Sequence, residues 1–193
     1  MSGTALSAYL ARSADLLSAM AGDDALAAGM TAATEAVATA LAAGRALLVC
    51  GNGGSASDAE HIAGELVGRF LKERRAYNVV ALSANPAVLT ALGNDYGFDS
   101  VYARQVEAHG APGGVLLAIS TSGNSANIVA AAEKARAVGM TVVGLTGAGG
   151  GALAPLCDIL LAVPARETPL VQQGHLCLYH HLCGMVETRL CDG

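Results

Sequence analysis

Five short apolar runs punctuate the chain, at 46–50, 78–82, 114–119, 140–145 and 158–163. Each has the length of a core strand, and longer stretches of helical character separate them. Helices are predicted at about 56–69, 86–92, 99–108, 126–138 and 169–190. Gly93 to Gly97 and the glycine-rich segment 147–151 read as loops. Pro86 follows Ser83-Ala-Asn and sits in the first turn of the short helix. Ahead of the first strand, Leu6, Leu10, Leu16, Leu17 and Met20 recur near a 3.6-residue period over 3–21. Gly22, Asp23 and Asp24 break that run, with Asp24 as cap of a second helix, 25–43, that ends at Gly44.

Strands alternating with helices predict an α/β fold, a doubly wound parallel sheet covered by helices on both faces. An N-terminal helical hairpin, 1–44, precedes an α/β core, 45–193, in one domain of 193 residues with no linker between them. In open sheets of this kind, ligands bind beyond the carboxyl ends of the strands. Two polar turns lie at such ends, at 51–55 and 120–125.

The first turn, Gly51-Asn-Gly-Gly-Ser55, joins a strand to a helix whose predicted N-cap is Ser55, with Asp58 three residues on. Strand, glycine turn and helix N-terminus present backbone N–H groups to an anion. The second turn, Ser120-Thr-Ser-Gly-Asn-Ser125, places four hydroxyls before a helix start. It reads either as a lysine-free phosphate cradle or as an ordinary capped turn. Neither turn has the GxxxxGK[ST] of a P-loop or the GxGxxG of a dinucleotide site.

His61 and Glu65 are spaced i, i+4 and share one helix face. The pair is either an incidental polar face or a site of metal ligation or general acid–base work. The last helix carries Gln172, Gln173, His175, His180 and His181. Gln172 and His180, eight apart, could converge on one site, whereas His175 and His181 read as surface or interface residues.

Composition narrows the classes. Hydrophobic residues make up 53% and charged residues 14%, which points to a packed fold with surface given to subunit contacts. A net charge of −5 argues against nucleic acid as a partner. Lys72, Arg74 and Arg75 read as a solvated loop. No apolar run is expected to cross a membrane. Five cysteines without a CxxC, and an opening segment without a secretory signal pattern, read as reduced thiols in a cytoplasmic protein.

The stretch GNGGSASDAEHIAGELVGRF at 51–70, GND at 93–95, STSGNS at 120–125 and VQQGHLCLYHHLCGMVE at 171–187 together resemble the phosphoheptose isomerases, which are SIS (sugar isomerase) domain proteins of flavodoxin-like fold. The resemblance covers nearly the whole chain. It implies conversion of sedoheptulose 7-phosphate to D-glycero-D-manno-heptose 7-phosphate, the first step of bacterial heptose synthesis. It also implies a homotetramer with active sites between subunits and one zinc ion per subunit. By motif match, His61, Glu65, Gln172 and His180 would hold zinc, and Glu65 and His180 would be the catalytic base and its partner acid. Ser120, Thr121, Ser122 and Ser125 would take the phosphate. Asn52, Gly53, Gly54, Ser55, Asn94, Asp95 and Gln172 would line the sugar. The chain departs from the family pattern at Gln173, where a glutamate is usual.

Overall fold

The computed structural model describes residues 4–191. Helices α1 (Ala5–Ala21) and α2 (Asp24–Ala42) lead into strand β1 (Leu47–Cys50). There follow α3 (Gly54–Val67), β2 (Val79–Ala81), α4 (Pro86–Tyr96) and α5 (Val101–His109). The second half runs β3 (Val115–Ser120), α6 (Ala126–Ala137), β4 (Thr141–Thr146), β5 (Ile159–Ala162) and α7 (Thr168–Cys191). The strands form one parallel sheet in the order β2-β1-β3-β4-β5. That is the predicted doubly wound arrangement, with its topological switch point between β1 and β3.

The strands read as near-continuous apolar runs because both faces of the sheet are covered. Leu47 and Val49 of β1, with Leu117 and Ile119 of β3, pack into one core shared with α1, α2, α3 and α7. Leu48 and Cys50, with Leu116 and Ala118, point the other way, onto α5 and α6. The hairpin joins the first core through Leu16, Met20, Leu26, Met30, Val37 and Leu41.

Several local expectations shift. Gly3, the first residue of the expected leading helix, lies outside the described residues. Asp23, not Asp24, caps α2, accepting from the Leu26 N–H at 3.0 Å. The Gly93-Asn-Asp95 segment is helical rather than loop, because a lone glycine is tolerated inside a helix well started by the Asn85 cap and Pro86. The break falls instead at Gly97, with φ 83°. Ser55 is not a cap. The turn at Gly53, φ 57°, starts α3 early and carries Ser55 into the first turn, where it is buried. Part of the glycine loop after β4 is a 3₁₀ turn, Gly151–Leu156.

Among the described residues, only α2 is long and apolar enough to cross a membrane, by length and composition alone, with a mean hydropathy of 1.3 over an 18-residue window. Yet 44% of that window is buried in the fold, its inner face packed on the sheet core and on α7.

Two buried polar residues on α7 were not foreseen. Glu187, with 1% of its side chain exposed, accepts from the N–H groups of Phe70, Leu71 and Lys72 at 3.0, 2.7 and 2.8 Å. The Arg74 guanidinium, 5% exposed, pairs with it at 3.2 Å and also donates to the carbonyls of Glu65, Leu66 and Gly68. The basic segment is therefore not simply solvated: Arg74 is an internal strut. Burial alone would raise the Glu187 pKa, but the three N–H donors and Arg74 outweigh it and hold the value below the usual glutamate range.

His175, expected near the surface, is fully buried, and neither ring nitrogen has a well-formed hydrogen bond. Burial lowers its pKa to about 4, against a weaker opposing pull from the Thr146 backbone.

Replacing Glu187 by leucine should cost about 3 kcal/mol or more, because it strands the buried Arg74 charge. Urea unfolding checks this, and pairing the change with Arg74→Met should recover much of the loss. His175 binds its proton far more readily unfolded than folded, so its contribution to stability is intact above about pH 6.5 and is lost as pH falls toward 4. The slope reaches about 1.4 kcal/mol per pH unit. His175→Leu should flatten the fall between pH 7 and 5 in the same unfolding assay, and equal slopes in both proteins would refute the assignment.

Candidate active site

Both polar turns sit at the carboxyl end of the sheet on either side of the switch point, after β1 and after β3. They are tied together. The side-chain amides of Asn52 and Asn127 donate to each other reciprocally, at 2.8 and 2.9 Å. Asn127 is buried in the first turn of α6, so this pair fixes one lip of the crevice against the other. Below it, the buried Tyr102 hydroxyl donates to the Gly51 carbonyl at 2.5 Å.

The second turn is shaped from within. The Ser120 hydroxyl accepts from the Gly123 N–H at 3.1 Å and lies 3.1 Å from the Ser125 hydroxyl. The Ser122 hydroxyl accepts from Asn124 N–H at 3.1 Å. Asn124 in turn accepts from the Ala152 N–H at 2.9 Å, which moors the turn to the next loop. Gly123 has φ 67°, and any Cβ there would collide with the Gly150 backbone.

The helix starts carry a further signal. Helices α1, α2 and α4 are each capped by a side chain, from Thr4, Asp23 and Asn85. Helices α3, α5 and α6 have no side-chain cap. Of these, α3 and α6 flank the switch point, where their positive dipole ends favour an anion.

A second cluster lies between α3 and α7. Donor atoms of His61, Glu65 and His180 all fall within 4.8 Å of one another. His61 Nε2 is 3.0 Å from Glu65 Oε1, and the His61 and His180 rings meet edge-on with centroids 5.0 Å apart. Two imidazoles and a carboxylate make a nitrogen–oxygen donor set of the kind that suits zinc. Phe70, held by Glu187 through its N–H, covers His180 with a centroid separation of 5.8 Å.

The remaining predicted residues sit elsewhere in the chain. Gln172 lies over Gly54 at the start of α3, where a Cβ on Gly54 would strike its amide nitrogen. That is eight residues, about 12 Å along α7, from His180. Gln172 therefore belongs to the anion-facing end of α3 rather than to the His61 cluster. Asn94 and Asp95 are exposed on the last turn of α4 and bonded to each other at 2.7 Å. Thr121 and Ser125 are half-buried and Ser122 is exposed.

Sequence reasoning missed Asn127, Tyr179 and Asp58. The Tyr179 hydroxyl stands 3.0 Å from His61 Nδ1 and donates to Asp58 at 3.3 Å. In the sequence Asp58 reads only as a capping residue. Its placement one turn before His61, at i, i+3, was the available signal.

Fold and turns define an SIS domain: residues 8–147 match the family model of that description. The chain is 56% identical over 156 residues to the phosphoheptose isomerase of Rhodospirillum rubrum, covering 81% of this chain and 83% of that one. It is 51% identical to that of a Bradyrhizobium strain over 185 residues, 96% and 93% of the two chains. The solved phosphoheptose isomerase GmhA from Neisseria gonorrhoeae superposes with a TM-score of 0.89 at 39% identity, over 95% of this chain and 97% of the other. The chain belongs to the phosphoheptose isomerase family of SIS-domain proteins.

The Asn52–Asn127 pair gives a direct test of the crevice. Asn52→Ala and Asn127→Ala should each destabilise by about 1–3 kcal/mol, since each leaves a partly or wholly buried amide unpaired. The double variant should lose less than the sum, with a coupling of about 1 kcal/mol or more in a double-mutant cycle. Strict additivity would mean the two turns are not joined through these amides.

Proposed function

We propose that the protein isomerises sedoheptulose 7-phosphate to D-glycero-D-manno-heptose 7-phosphate, as an aldose–ketose isomerase of bacterial heptose synthesis. The observation that carries this is a metal-type cluster that His61 and Glu65 of α3 form with His180 of α7, on the same α3 whose N-terminus borders an anion crevice. Phosphate lies on the hydroxyls of Ser120, Thr121, Ser122 and Ser125 and on the uncapped end of α6, with Ser55 and the end of α3 opposite. No lysine is needed, because neutral donors and two helix dipoles supply the field. Asn52, Gly53, Gly54, Asn94, Asp95 and Gln172 line the sugar. The phosphate acts as a remote handle whose binding energy orients the reacting carbons.

Isomerisation moves one proton between adjacent carbons and needs no outside oxidant. Glu65 takes the proton from C1, the C1–H pair becoming the enediolate double bond, and returns it to C2. His180 exchanges the proton between the two substrate oxygens, so that the C2 carbonyl becomes a hydroxyl and the C1 hydroxyl a carbonyl. Gln172, at the Gly54 end of α3, faces the sugar, while His61, Glu65 and His180 would hold zinc. Bound there, zinc would polarise the substrate oxygens as a Lewis acid and steady the enediolate charge.

The chain works as a homotetramer with sites at subunit contacts. An apolar groove of about 620 Å³ between the hairpin and α7, lined by Leu17, Met20, Leu26, Met30, Leu178 and Met185, supports this reading. So do the exposed Leu6 and Leu10 of α1. The five free cysteines fit a reducing cytoplasm.

Purified protein should convert sedoheptulose 7-phosphate to the aldoheptose 7-phosphate, lose turnover to a chelator and recover it with zinc. Glu65→Gln should lower kcat by about 10²- to 10⁴-fold while leaving the melting temperature nearly unchanged. Near-normal kcat in that variant would remove Glu65 as the base. No conversion by the wild type in the presence of zinc would leave a sugar-phosphate binder in place of an enzyme.

A further inference from the structure

Asp58, His61 and Glu65 lie on one face of α3, and α7 brings Tyr179 against that face beside His180. Tyr179 is 1% exposed, and its hydroxyl contacts two groups at once: Asp58 Oδ1 at 3.3 Å and His61 Nδ1 at 3.0 Å. A phenol has one proton to give. An ionised carboxylate can only accept, so the Tyr179 proton goes to Asp58. The Tyr179 oxygen must then accept from His61, which requires the His61 proton on Nδ1. We propose that Tyr179, oriented by Asp58, is a positioning residue that fixes His61 as the Nδ1–H tautomer and so directs the Nε2 lone pair into the cluster with Glu65 and His180.

The surroundings favour this order over its reverse. Were Nδ1 to accept, Tyr179 would have to turn its proton away from Asp58. The second Asp58 oxygen, Oδ2, is already buried without a partner, so the carboxylate would be left poorer still. The Nε2 edge lies 3.0 Å from Glu65 Oε1, so a proton on Nε2 would donate to that carboxylate. A cation held by the cluster would displace that proton and leave the one on Nδ1 that Tyr179 accepts. The arrangement is the carboxylate–histidine support of metal sites with a tyrosine interposed. The edge-on packing of the Tyr179 ring on both His61 and His180, with centroids 5.5 and 5.0 Å away, holds the hydroxyl in place.

This inference rests on the metal reading of the cluster, and its test keeps the two apart. Zinc affinity is measured by chelator competition, and the His61 tautomer by ring ¹⁵N shifts of the metal-free protein near pH 9. Tyr179→Phe keeps the ring and removes the hydroxyl. Asp58→Asn keeps the shape and lets the amide donate to Tyr179, turning the phenol proton toward His61. Each variant should bind zinc about 10- to 100-fold more weakly and move His61 toward the Nε2–H form, with melting temperature little changed. Variants that fold, bind zinc within about threefold of the wild type and keep the Nδ1–H form overturn the relay alone. Should Tyr179→Phe fail to fold, the isosteric Asp58→Asn decides on the same two readings. A wild type that binds no zinc overturns the metal reading and this inference with it.

Discussion

The close seating of α7 across the sheet and along α3 is the constraint from which the site follows. A Cβ on Gly174 would lie 2.8 Å from both Val163 methyls and 3.1 Å from the Met20 sulfur, so only glycine lets α7 settle against β5 and the hairpin. At Gly54 the first turn of α3 leaves room for the Gln172 amide, and at Gly184 the helix passes 3.3 Å from Phe70 by the same measure. Once α7 is down, Tyr179 and His180 have nowhere to be but beside His61 and Glu65. Glu187, two turns on, then gathers three successive backbone N–H groups and Arg74, and this holds Phe70 over His180. Packing and chemistry are the same contact viewed at two points along one helix.

The anion crevice depends on a different economy. A chain with net charge −5 has no reservoir of lysine to spend on phosphate. It leaves α3 and α6, where the strand order reverses, without side-chain caps, as it does α5, and caps α1, α2 and α4 in the ordinary way. Forgoing a cap costs about 1 kcal/mol. At α3 and α6 that cost leaves a field aimed at the point where both dipoles meet, and the Asn52–Asn127 pair keeps the two ends in register.

What the sequence discloses follows the range of the physics. Strands buried on both faces announce themselves as apolar runs, and the 2-1-3-4-5 order suits their alternation with helices. The i, i+4 pair of His61 and Glu65 was legible because a helix repeats its face every turn. Contacts formed by folding itself were not. Asn52 and Asn127 are 75 residues apart, His61 and Tyr179 118, and Phe70 and Glu187 117. Nothing local marks Tyr179 among the apolar positions of α7, nor Glu187 as internal rather than solvated. Gly93 and Ser55 were misplaced for a milder reason. Their residue types favour breaks and caps, and the conformation of a neighbour, Gly97 in one case and Gly53 in the other, decided the boundary.

The departure at Gln173 takes its meaning from helical geometry. Adjacent helix positions point about 100° apart. Gln172 faces the start of α3, while Gln173 donates to the Tyr9 hydroxyl of α1 at 2.7 Å. Nearby, Arg12 pairs with Glu167 across the same seam. Replacing a carboxylate by an amide here therefore substitutes a neutral donor at the hairpin contact and leaves the donor set of His61, Glu65 and His180 untouched. The residue acts on how the hairpin lies along α7, the helix that carries His180.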